Sequence, residues 1–386
     1  MNIENNSFNV DRITHYRYDA RMETRVIQLD LLDDLRGLYR DVAAQMLEGD
    51  IVALPTETVY GLGADALNAD AVARVFEAKE RPSYDPLICH LPNGRSVHDI
   101  ADVPEELKDL VKTLAKEFWP GPMTLVLPKK DIIPDIVTSG LPTVACRVPA
   151  HDVMRGVAKA LDRPIAAPSA NRFGHISPTS AGAVLKELDG RIPLILDAGA
   201  CSEGIESTIL APCIDEKGNP AVRLLREGPV TREMLRPICR VIRPKKLSKR
   251  AQALAEEAAK EAAANPSASV VPNPEAPGQL ESHYAPTKPL YLCAPREKFE
   301  AQEDIRYGLI SYQGDSKLSD QDCWEEVLTL SPGNGRLSEA ALRLFALMRQ
   351  MDENEDIDVI IVEELPETGI GCAMMDRLRR ASSKRS

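Results

Sequence analysis

The feature that most constrains the fold is an alternation of apolar runs and helical patterns between Arg25 and about Arg240. Helical periodicity is clear in LRGLYRDVAAQMLEG, ADAVARVFEAKE and HDVMRGVAKALD, where apolar residues recur every three to four positions. Short apolar runs of strand length lie between them, namely IVALP, TLVLP, TVACRVP, PIAAPS, LILDAG and STILAP. Because such alternation favours a sheet covered by helices, the region is predicted to form an α/β domain.

A chain of 386 residues is long enough for more than one domain, and its composition changes after about Arg240. The stretch KKLSKRAQALAEEAAKEAAA predicts a surface helix, and a Pro-rich stretch follows it. Beyond Leu290, the runs LYLC, YGLIS and DVIIVEE accompany a helical pattern that starts at Leu337, which indicates a second, smaller α/β unit. We therefore divide the chain into a polar tail (1–24), an α/β domain (25–240), a linker helix with a Pro-rich segment (241–289) and a C-terminal α/β domain (290–386).

The charge and the cysteine usage exclude several functional classes. A formal net charge of −12 argues against broad binding of duplex nucleic acid, which needs a basic surface, but it allows a local basic cleft for ATP or an RNA segment. The eight cysteines are scattered without C-x-x-C or zinc-like spacing. No apolar run reaches the ~18 residues of a membrane helix, and the N-terminus lacks an apolar signal core. The sequence therefore predicts a cytoplasmic protein without a membrane partner.

The stretch PTETVYGLGADAL, from Pro55 to Leu67, contains G-x-G-x-x-A after an apolar run and invites comparison with a dinucleotide-binding turn. Its spacing argues against that interpretation. Pro55 should end the strand, because proline cannot donate to a sheet ladder. Five residues then separate Pro55 from Gly61, whereas the glycines of the fingerprint lie in the first tight turn after the strand. Another use is therefore needed for the two threonines and the glutamate that follow this strand.

A lysine and three arginines stand out near the ends of predicted elements. Lys79 falls on the apolar stripe of its helix and Arg81 follows it, so that the pair suits a polyphosphate in a chain without a Walker A sequence. A lysine that extends to solvent from a helix end is the ordinary alternative. Arg147 lies among apolar neighbours in TVACRVP, where it needs an anion, and Arg226 ends the apolar part of VRLLREGP.

Small polar side chains accompany these basic residues. Ser169 and Asn171 lie in AAPSANRFGHISPTS, and Ser207 and Thr208 lie in GIESTILAP. Ordinary turn chemistry explains each of them separately. Taken together with the basic residues, they fall at strand ends, where ligands bind in open α/β sheets.

The order of the motifs is more distinctive than any one of them. The chain contains, in sequence, PTETVYGLGADAL, KERP, PLICH, WPGPMTLVL, TVACRVPAH, PIAAPSAN, SPTSA, GIESTI and LLREGP. In this it resembles the YrdC-like threonylcarbamoyl-AMP synthases, and APGQLESHYAPTKPL resembles the interdomain segment of their two-domain members. The resemblance implies a YrdC-like domain with a twisted open sheet, joined by a Pro-rich linker to a small Rossmann-like α/β domain.

The resemblance also implies an activity. Such enzymes combine L-threonine, bicarbonate and ATP into threonylcarbamoyl-adenylate and release pyrophosphate, and a downstream transferase passes the threonylcarbamoyl group to an adenosine of tRNA. Magnesium is expected to arrive with ATP, without a metal site made of protein side chains and without a tightly bound organic cofactor. Contact with tRNA itself is expected to be indirect.

Residue roles follow from the same resemblance. Thr58, His90, Arg147 and Ser207 are expected to bind threonine, and Lys79 and Arg81 are the expected catalytic residues at the triphosphate. Tyr284 is expected to reach the nucleotide from the linker, which would make the linker a lid. The complete set expected at ATP is Lys79, Arg81, Asp85, Thr143, Ser169, Asn171, Thr179, Arg226 and Tyr284.

Two departures from the pattern of the family affect these expectations. Asp85 stands where the family commonly has Asn, and its carboxylate would repel phosphates unless it points away or helps to hold a metal. The linker segment from Gln279 to Ser282 lacks the basic residues often seen there. Three alternatives remain open: an RNA-binding module without adenylate synthesis, a carbamoyl-transfer enzyme and a non-catalytic regulator.

Overall fold

The computed structural model describes residues 23–243, 274–278 and 283–382. The predicted linker helix, most of the Pro-rich segment and nearly all of the predicted N-terminal tail lie outside these residues. Within the described part of the chain, no helix has both the length and the apolar composition needed to cross a membrane.

An eleven-stranded mixed sheet organises the first domain, and the strand order is β1-β8-β2-β3-β7-β4-β6-β5-β9-β10-β11. The strands are β1 (Arg25–Gln28), β2 (Val52–Leu54), β3 (Gly61–Asp65), β4 (Ile88–His90), β5 (Met123–Pro128), β6 (Thr143–Arg147), β7 (Ile165–Ala166), β8 (Leu194–Asp197), β9 (Thr208–Ile214), β10 (Pro220–Arg226) and β11 (Arg240–Ile242). The sheet contains both parallel pairs, such as β4 with β6, and antiparallel pairs, such as β2 with β3. The predicted α/β architecture is confirmed, with a mixed sheet.

Helices cover both faces of this sheet. They are α1 (Leu35–Leu47), α2 (Ala69–Lys79), α3 (Val97–Ile100), α4 (Lys108–Phe118), α5 (Asp135–Thr138), α6 (Asp152–Leu161), α7 (Ala181–Leu188) and α8 (Arg232–Leu235). Val52 and Leu54 of β2 belong to the apolar cluster of α1 and α6, whereas Ala53 between them belongs to the cluster of α2, α4 and α7. Alternate residues of a strand point to opposite faces, so the domain has two apolar layers around one sheet.

The stretch GLGAD is strand β3, not a turn, and it pairs antiparallel with β2. The dinucleotide-turn interpretation is therefore excluded for these residues, while the strand itself was not anticipated from the sequence. A Cβ at Gly63 would lie 2.8 Å from Ile165 Cγ2, and one at Gly61 would lie 3.2 Å from Ala167 Cβ. Glycine is needed here because neighbouring side chains occupy the space that a Cβ would fill.

The second domain is a four-stranded parallel sheet with the order β12-β15-β13-β14. Its elements are β12 (Leu290–Cys293), β13 (Tyr307–Ser311), β14 (Trp324–Thr329), α9 (Leu337–Glu353), β15 (Val359–Glu363) and α10 (Gly371–Ser382). Its apolar cluster also includes Val59, Ile176 and Ile205 of the first domain and Tyr284 of the linker. The two domains therefore share apolar packing next to the site described below.

Candidate active site

A small cavity lies where the turn after β2, the ends of β4 and β6 and the segment before β9 meet. The space left inside it is about 50 Å³, little more than the ~30 Å³ that one water molecule takes up. Four residues of the linker, Pro277, Gly278, His283 and Tyr284, form one wall. The remaining lining consists of Thr56, Thr58, Val59, Gly61, Arg81, Ile88, His90, Arg147, Ala167, Pro168, Ser169, Glu206, Ser207 and Arg226.

The turn after β2 is held by a threonine side chain. Oγ1 of Thr56 accepts hydrogen bonds from the backbone N–H of Thr58 at 3.1 Å and of Val59 at 3.2 Å. It also lies 2.8 Å from Oγ1 of Thr58. This local bonding is typical of threonine in turns, and it fixes the hydroxyl of Thr58 at the cavity.

Arg147 at the end of β6 is the cation nearest to this turn. Its Nη1 donates to Thr58 Oγ1 at 2.9 Å, and its Nε donates to the carbonyl of Gly121 at 3.2 Å. Its Nη2 lies 2.6 Å from Glu57 Oε1 in a buried ion pair. Burial alone would raise the pKa of Glu57, but Arg147 and a backbone N–H of Ala150 outweigh burial and leave that pKa lowered. The anion that Arg147 requires is thus supplied by Glu57.

His90 ends β4 beside Arg147, which is its register partner on β6. Its Nδ1 lies 3.2 Å from the carbonyl of Ile88. Burial, and then the positive charge of Arg147, lower the pKa of His90 to about 3. The imidazole is therefore neutral at physiological pH and contributes polarity without charge.

This lowered pKa predicts a stability effect of acid. Because the folded pKa lies below the ordinary value of 6.5, the unfolded chain takes up the proton first as the pH falls below 6.5, and stability is lost. When the pH falls from 7 to 5, the unfolding free energy of wild type should decrease by about 2 kcal/mol more than that of His90→Gln. Urea unfolding at both pH values measures this difference. His98→Gln at an exposed position is the control, and parallel behaviour of His90→Gln and wild type would contradict the prediction.

Lys79 is the last residue of α2, and the left-handed conformation of Glu80, with φ 54°, turns the chain back toward the sheet at Arg81. Lys79 lies on the buried stripe of α2, as the sequence predicts, and is 1% exposed. Its ammonium donates to the carbonyl of Ser169 at 2.5 Å and to that of Asn171. Burial, and secondly the charge of Arg81, lower the pKa of Lys79 well below its usual value.

Arg226 ends β10 and meets Ser207, which directly precedes β9. Its Nε donates to the carbonyl of Ser207 at 3.0 Å, and its Nη2 donates to Ser207 Oγ at 3.1 Å. Ser207 Oγ also lies 2.8 Å from Thr124 Oγ1. Nη1 of Arg226 donates to the carbonyl of Pro277 in the linker at 3.3 Å. Within the described ranges, neither Arg226 nor Lys79 has a carboxylate in ion-pair range, although both are buried.

Tyr284 brings the linker against the cavity. It adopts a left-handed backbone with φ 64°, and it is 1% exposed. Gly278 has φ 78°, and a Cβ there would lie 2.5 Å from the hydroxyl of Tyr284. Glycine is therefore required at position 278 for the tyrosine to close this wall.

Several residues predicted at ATP do not line the cavity. Thr143 begins β6, four residues before Arg147, which places it roughly 13 Å away along the strand. Thr179 is buried, and its carbonyl accepts from the N–H of Cys201. The side-chain amide of Asn171 donates to the carbonyls of Arg172 and His175.

Asp85 also lies outside the lining of the cavity. Its carboxylate is 2.9 Å from Nη2 of Arg81 and is 0% exposed. The carbonyls of Asp85 and Pro86 accept from the same guanidinium at 3.2 and 3.0 Å. The carboxylate of Asp85 thus pairs with Arg81, and it is Arg81 that lines the cavity, while contact of Asp85 with ATP stays a prediction.

Sequence reasoning missed Glu206, His283 and Arg377 at this site. Glu206 and His283 line the cavity, and Arg377 of α10 pairs with Glu206 at 3.0 Å. One signal for Arg377 was present in the sequence. It lies four residues from Ala373 and four from Ala381, both buried, so a charge occupies the apolar stripe of its helix.

A larger cavity, of about 770 Å³, lies beside α3 and α4 and shares no lining residue with the first. The cations around it, Arg95, Lys108, Lys112 and Lys116, are exposed side chains. The smaller cavity is the better candidate because buried cations, hydroxyls and a neutral imidazole converge there.

Comparison with known proteins identifies the family of this chain. The Sua5/YciO/YrdC family, described as telomere recombination, matches residues 44–228, and the family described as threonylcarbamoyl-AMP synthase, C-terminal domain, matches residues 230–383. Threonylcarbamoyl-AMP synthase of Bacillus subtilis is 37% identical over 377 residues, which are 94% of this chain and 99% of that protein. That of Pyrococcus abyssi is 38% identical over 363 residues, 90% of this chain and 94% of that protein.

A solved structure extends the likeness to the fold. The crystal structure of P. abyssi Sua5 complexed with L-threonine superposes with a TM-score of 0.75 at 36% identity, and the match covers 93% of this chain and 98% of that one. Both domains fall within the matched length. The chain therefore belongs to the two-domain, Sua5-type threonylcarbamoyl-AMP synthases, the nucleotidyltransferases of tRNA threonylcarbamoyladenosine modification.

Proposed function

We propose that this chain joins L-threonine, bicarbonate and ATP into threonylcarbamoyl-adenylate at the small cavity and releases pyrophosphate. One observation carries the proposal beyond the family. Lys79 and Arg226 are buried cations that, among the described residues, contact only neutral oxygens. A buried cation without an anion is costly, and a triphosphate supplies the missing negative charge.

The phosphate half of the site consists of Lys79, Arg81 and Arg226. Arg81 and Arg226 line the cavity, and Lys79 lies behind Ser169, with its ammonium on the carbonyl of that residue. Guanidinium groups offer paired N–H donors to phosphate oxygens, and an ammonium offers a compact charge. These three cations therefore suit the developing charge on a phosphoryl group and its leaving pyrophosphate.

The threonine half consists of Arg147, Thr58, His90 and Ser207. The contacts of Arg147 with Thr58, Gly121 and Glu57 use three of the five N–H donors of a guanidinium, which leaves two for a carboxylate. Neutral His90 adds a polar group that does not repel an ammonium group. The complex of the P. abyssi relative with L-threonine supports threonine as the amino acid.

The reaction needs positioning more than covalent chemistry from the protein. The amine of threonine attacks bicarbonate to give a carbamate and releases one water molecule. A carbamate oxygen then attacks the α-phosphate of ATP while pyrophosphate leaves. Arg147 would hold the threonine end, and the three phosphate-side cations would hold the other. Placing both reactants in one small cavity supplies the orientation on which such a transfer depends.

Magnesium is proposed to enter on the phosphates of ATP. The described residues contain no cluster of three or more carboxylate, histidine or cysteine side chains that could hold a metal. The carboxylate of Glu206, which lines the cavity, is already bonded to Ser177 and Arg377. The side chains in the described ranges therefore do not form a metal site of their own, and all the residue roles proposed above are independent of one.

The linker residues Pro277, Gly278, His283 and Tyr284 are proposed to act as a lid. They form a wall that the sheet does not supply, and a nucleotide is far larger than the remaining space, so they must move to admit it. A closed lid would keep water away from the mixed anhydride product. Strand β11 ends at Ile242 and strand β12 begins at Leu290. These limits support the proposed division of the chain on either side of this segment.

The downstream transferase for tRNA is the proposed consumer of the product.

The test of this function is pyrophosphate release from ATP and bicarbonate, with and without L-threonine. Mass spectrometry of the quenched mixture should detect threonylcarbamoyl-adenylate only when threonine is present. Release that does not depend on threonine, or the absence of the adenylate, would refute the proposed reaction.

Arg147→Lys is expected to raise the KM for threonine by about ten- to a hundred-fold, because lysine cannot give a carboxylate two parallel N–H donors. The KM for ATP should stay within about twofold, since the contacts of Arg147 lie on the threonine side. Steady-state pyrophosphate release with each substrate varied in turn measures both constants. Arg155→Lys, on the surface of α6, is the matched control. Equal changes in both constants would argue against a threonine-side role.

A further inference from the structure

Arg377 is an unusual residue of the C-terminal domain, because it is a buried charge in a domain that contains neither of the two cavities described above. It lies on α10, is 0% exposed and is the bulkiest of the fully buried side chains in the described chain. Its Nε lies 3.0 Å from Glu206 Oε2, and its Nη2 donates to the carbonyl of Glu227 at 2.9 Å. These two partners belong to the first domain, whereas the third, Asp376 Oδ2 at 3.0 Å from Nη1, belongs to α10 itself.

These two contacts flank Arg226, which is placed at ATP, and Ser207, which is placed at threonine. Glu206 directly precedes Ser207, and Glu227 directly follows Arg226, while Arg226 and Ser207 are bonded to each other by two hydrogen bonds. The chain is closely packed here, because a Cβ at Gly228 would lie 2.7 Å from the carbonyl of Glu206. One guanidinium therefore ties together the two backbone segments that set the position of Arg226.

The carboxylate of Glu206 is fixed at both oxygens. Oε2 pairs with Arg377, and Oε1 accepts from Ser177 Oγ at 2.5 Å. Glu206 lines the cavity, where an uncompensated carboxylate would repel phosphate. The charge of Arg377 offsets that repulsion in addition to fixing the side chain.

Arg377 also contacts the lid residue. Its guanidinium carbon lies 5.3 Å from the centre of the Tyr284 ring, within the range of a cation–π contact. The Tyr284 ring also stacks on Phe345 of α9 in the C-terminal domain, and the two ring centres are 5.9 Å apart. The same side chain therefore touches the Arg226 segment, the Ser207 segment and the linker wall.

We propose that Arg377 is a positioning residue for the ATP side of the active site, and that the C-terminal domain acts in the reaction by delivering this side chain. The inference rests on the proposed function, because it needs ATP to bind at this cavity. Stability alone does not explain the residue, since a buried ion pair is often no more stabilising than apolar side chains of similar size.

The test compares Arg377→Met, Arg377→Lys and the double variant Arg377→Met/Glu206→Gln with wild type in the full chain. Arg377→Met should raise the KM for ATP about tenfold and lower kcat/KM for ATP about a hundredfold, the range expected when one fixed charge is lost. The KM for threonine should rise less than the KM for ATP, because the uncompensated carboxylate of Glu206 repels a triphosphate but does not repel the ammonium group of threonine. Arg377→Lys should fall between wild type and Arg377→Met, and the double variant should recover part of the ATP affinity because it also removes the carboxylate that repels phosphate.

Lys186→Met is the control for loss of an interdomain contact. Lys186 lies 2.6 Å from Glu353 of α9 in an exposed salt bridge, and neither residue lines the cavity. This variant should keep both KM values of wild type. If Arg377→Met does not fold, the ATP KM of Arg377→Lys and of the double variant decides the question.

The outcomes separate this proposal from the proposed function. If wild type shows no threonine-dependent pyrophosphate release, the function itself is refuted. If wild type is active and the Arg377 variants keep the wild-type KM for ATP, Arg377 does not position the site. Equal increases in the KM values for ATP and threonine would likewise overturn the proposal, because they would indicate a general loss of structure.

Discussion

Arg81→Met combined with Asp85→Asn is expected to lower threonine-dependent pyrophosphate release by about a thousandfold while the protein stays folded. Arg81 lines the cavity, and its guanidinium is held by the carboxylate of Asp85 and by the carbonyls of Asp85 and Pro86. A cation fixed in this way can stabilise phosphoryl oxygens without rearranging during the reaction. Its removal should therefore act on kcat more than on folding.

The double substitution is needed because of how Arg81 is buried. Burial lowers the pKa of Arg81 and raises that of Asp85, because desolvation disfavours the charged form of each group. Removing Arg81 alone would leave the carboxylate of Asp85 uncompensated, at a cost of about 3–5 kcal/mol. A single Arg81→Ala variant would then confuse a loss of folding with a loss of catalysis.

Quenched pyrophosphate release measures the rate, and thermal unfolding measures the fold. Asp85→Asn alone keeps Arg81 and should retain activity within about tenfold of wild type, since an amide oxygen can still accept from the guanidinium. A double variant that keeps more than a tenth of the wild-type rate would show that Arg81 is not the main phosphate contact.

Much of the site was predictable because three of its basic residues, Lys79, Arg147 and Arg226, carry a local signal. Lys79 interrupts the apolar stripe of a helix, and Arg147 interrupts an apolar strand. Arg226 ends a strand before a Gly-Pro turn. The apolar stripe of Lys79 and the strand neighbours of Arg147 are buried, so burial of these two charges follows from the sequence next to them, and a buried charge needs a partner.

The partners of these charges were harder to predict, because a partner lies wherever the fold brings it. Glu57 and Arg147 are far apart in the chain and meet only when the turn after β2 lies beside the end of β6. Glu206 and Arg377 are 171 residues apart and meet only when the domains are packed together. No periodicity within either segment contains that information.

The fold shows the same division between local and distant information. Helices α1, α2, α6 and α9 have clear amphipathic patterns, and the structure contains each of them within two residues of the predicted limits. Strand β3 was missed because its Gly-rich sequence has low strand propensity and is held by its neighbours. Strand β7 is only two residues long and lies near the start of the apolar run PIAAPS. Such a run therefore predicts burial more reliably than it predicts strand pairing.

Lys79→Met is expected to lower the rate of adenylate formation by about a hundred- to a thousandfold. Methionine has nearly the volume of lysine and suits a position that is 1% exposed, so the helix should keep its packing. The carbonyls of Ser169 and Asn171 would lose their donor, at a cost of about 1–3 kcal/mol. Loss of the costly buried charge offsets part of that cost, so the variant should remain folded.

Proton uptake provides a measurement that a structural role for Lys79 would not affect. The pKa of Lys79 is lowered well below 10.5 in the folded protein. Its side-chain amine is therefore protonated in a smaller fraction of molecules than a lysine in water. A bound triphosphate favours the charged form, so ATP binding should be accompanied by proton uptake as the pH rises toward the usual value. Calorimetry in buffers of different ionisation enthalpy, from about pH 7 to about pH 9, should detect this uptake in wild type and its loss in Lys79→Met.

Lys116→Met, an exposed substitution on α4, should behave like wild type. Equal uptake in Lys79→Met and wild type would mean that the proton goes to another group, and Lys79 would then be a structural donor to two carbonyls and not a phosphate contact.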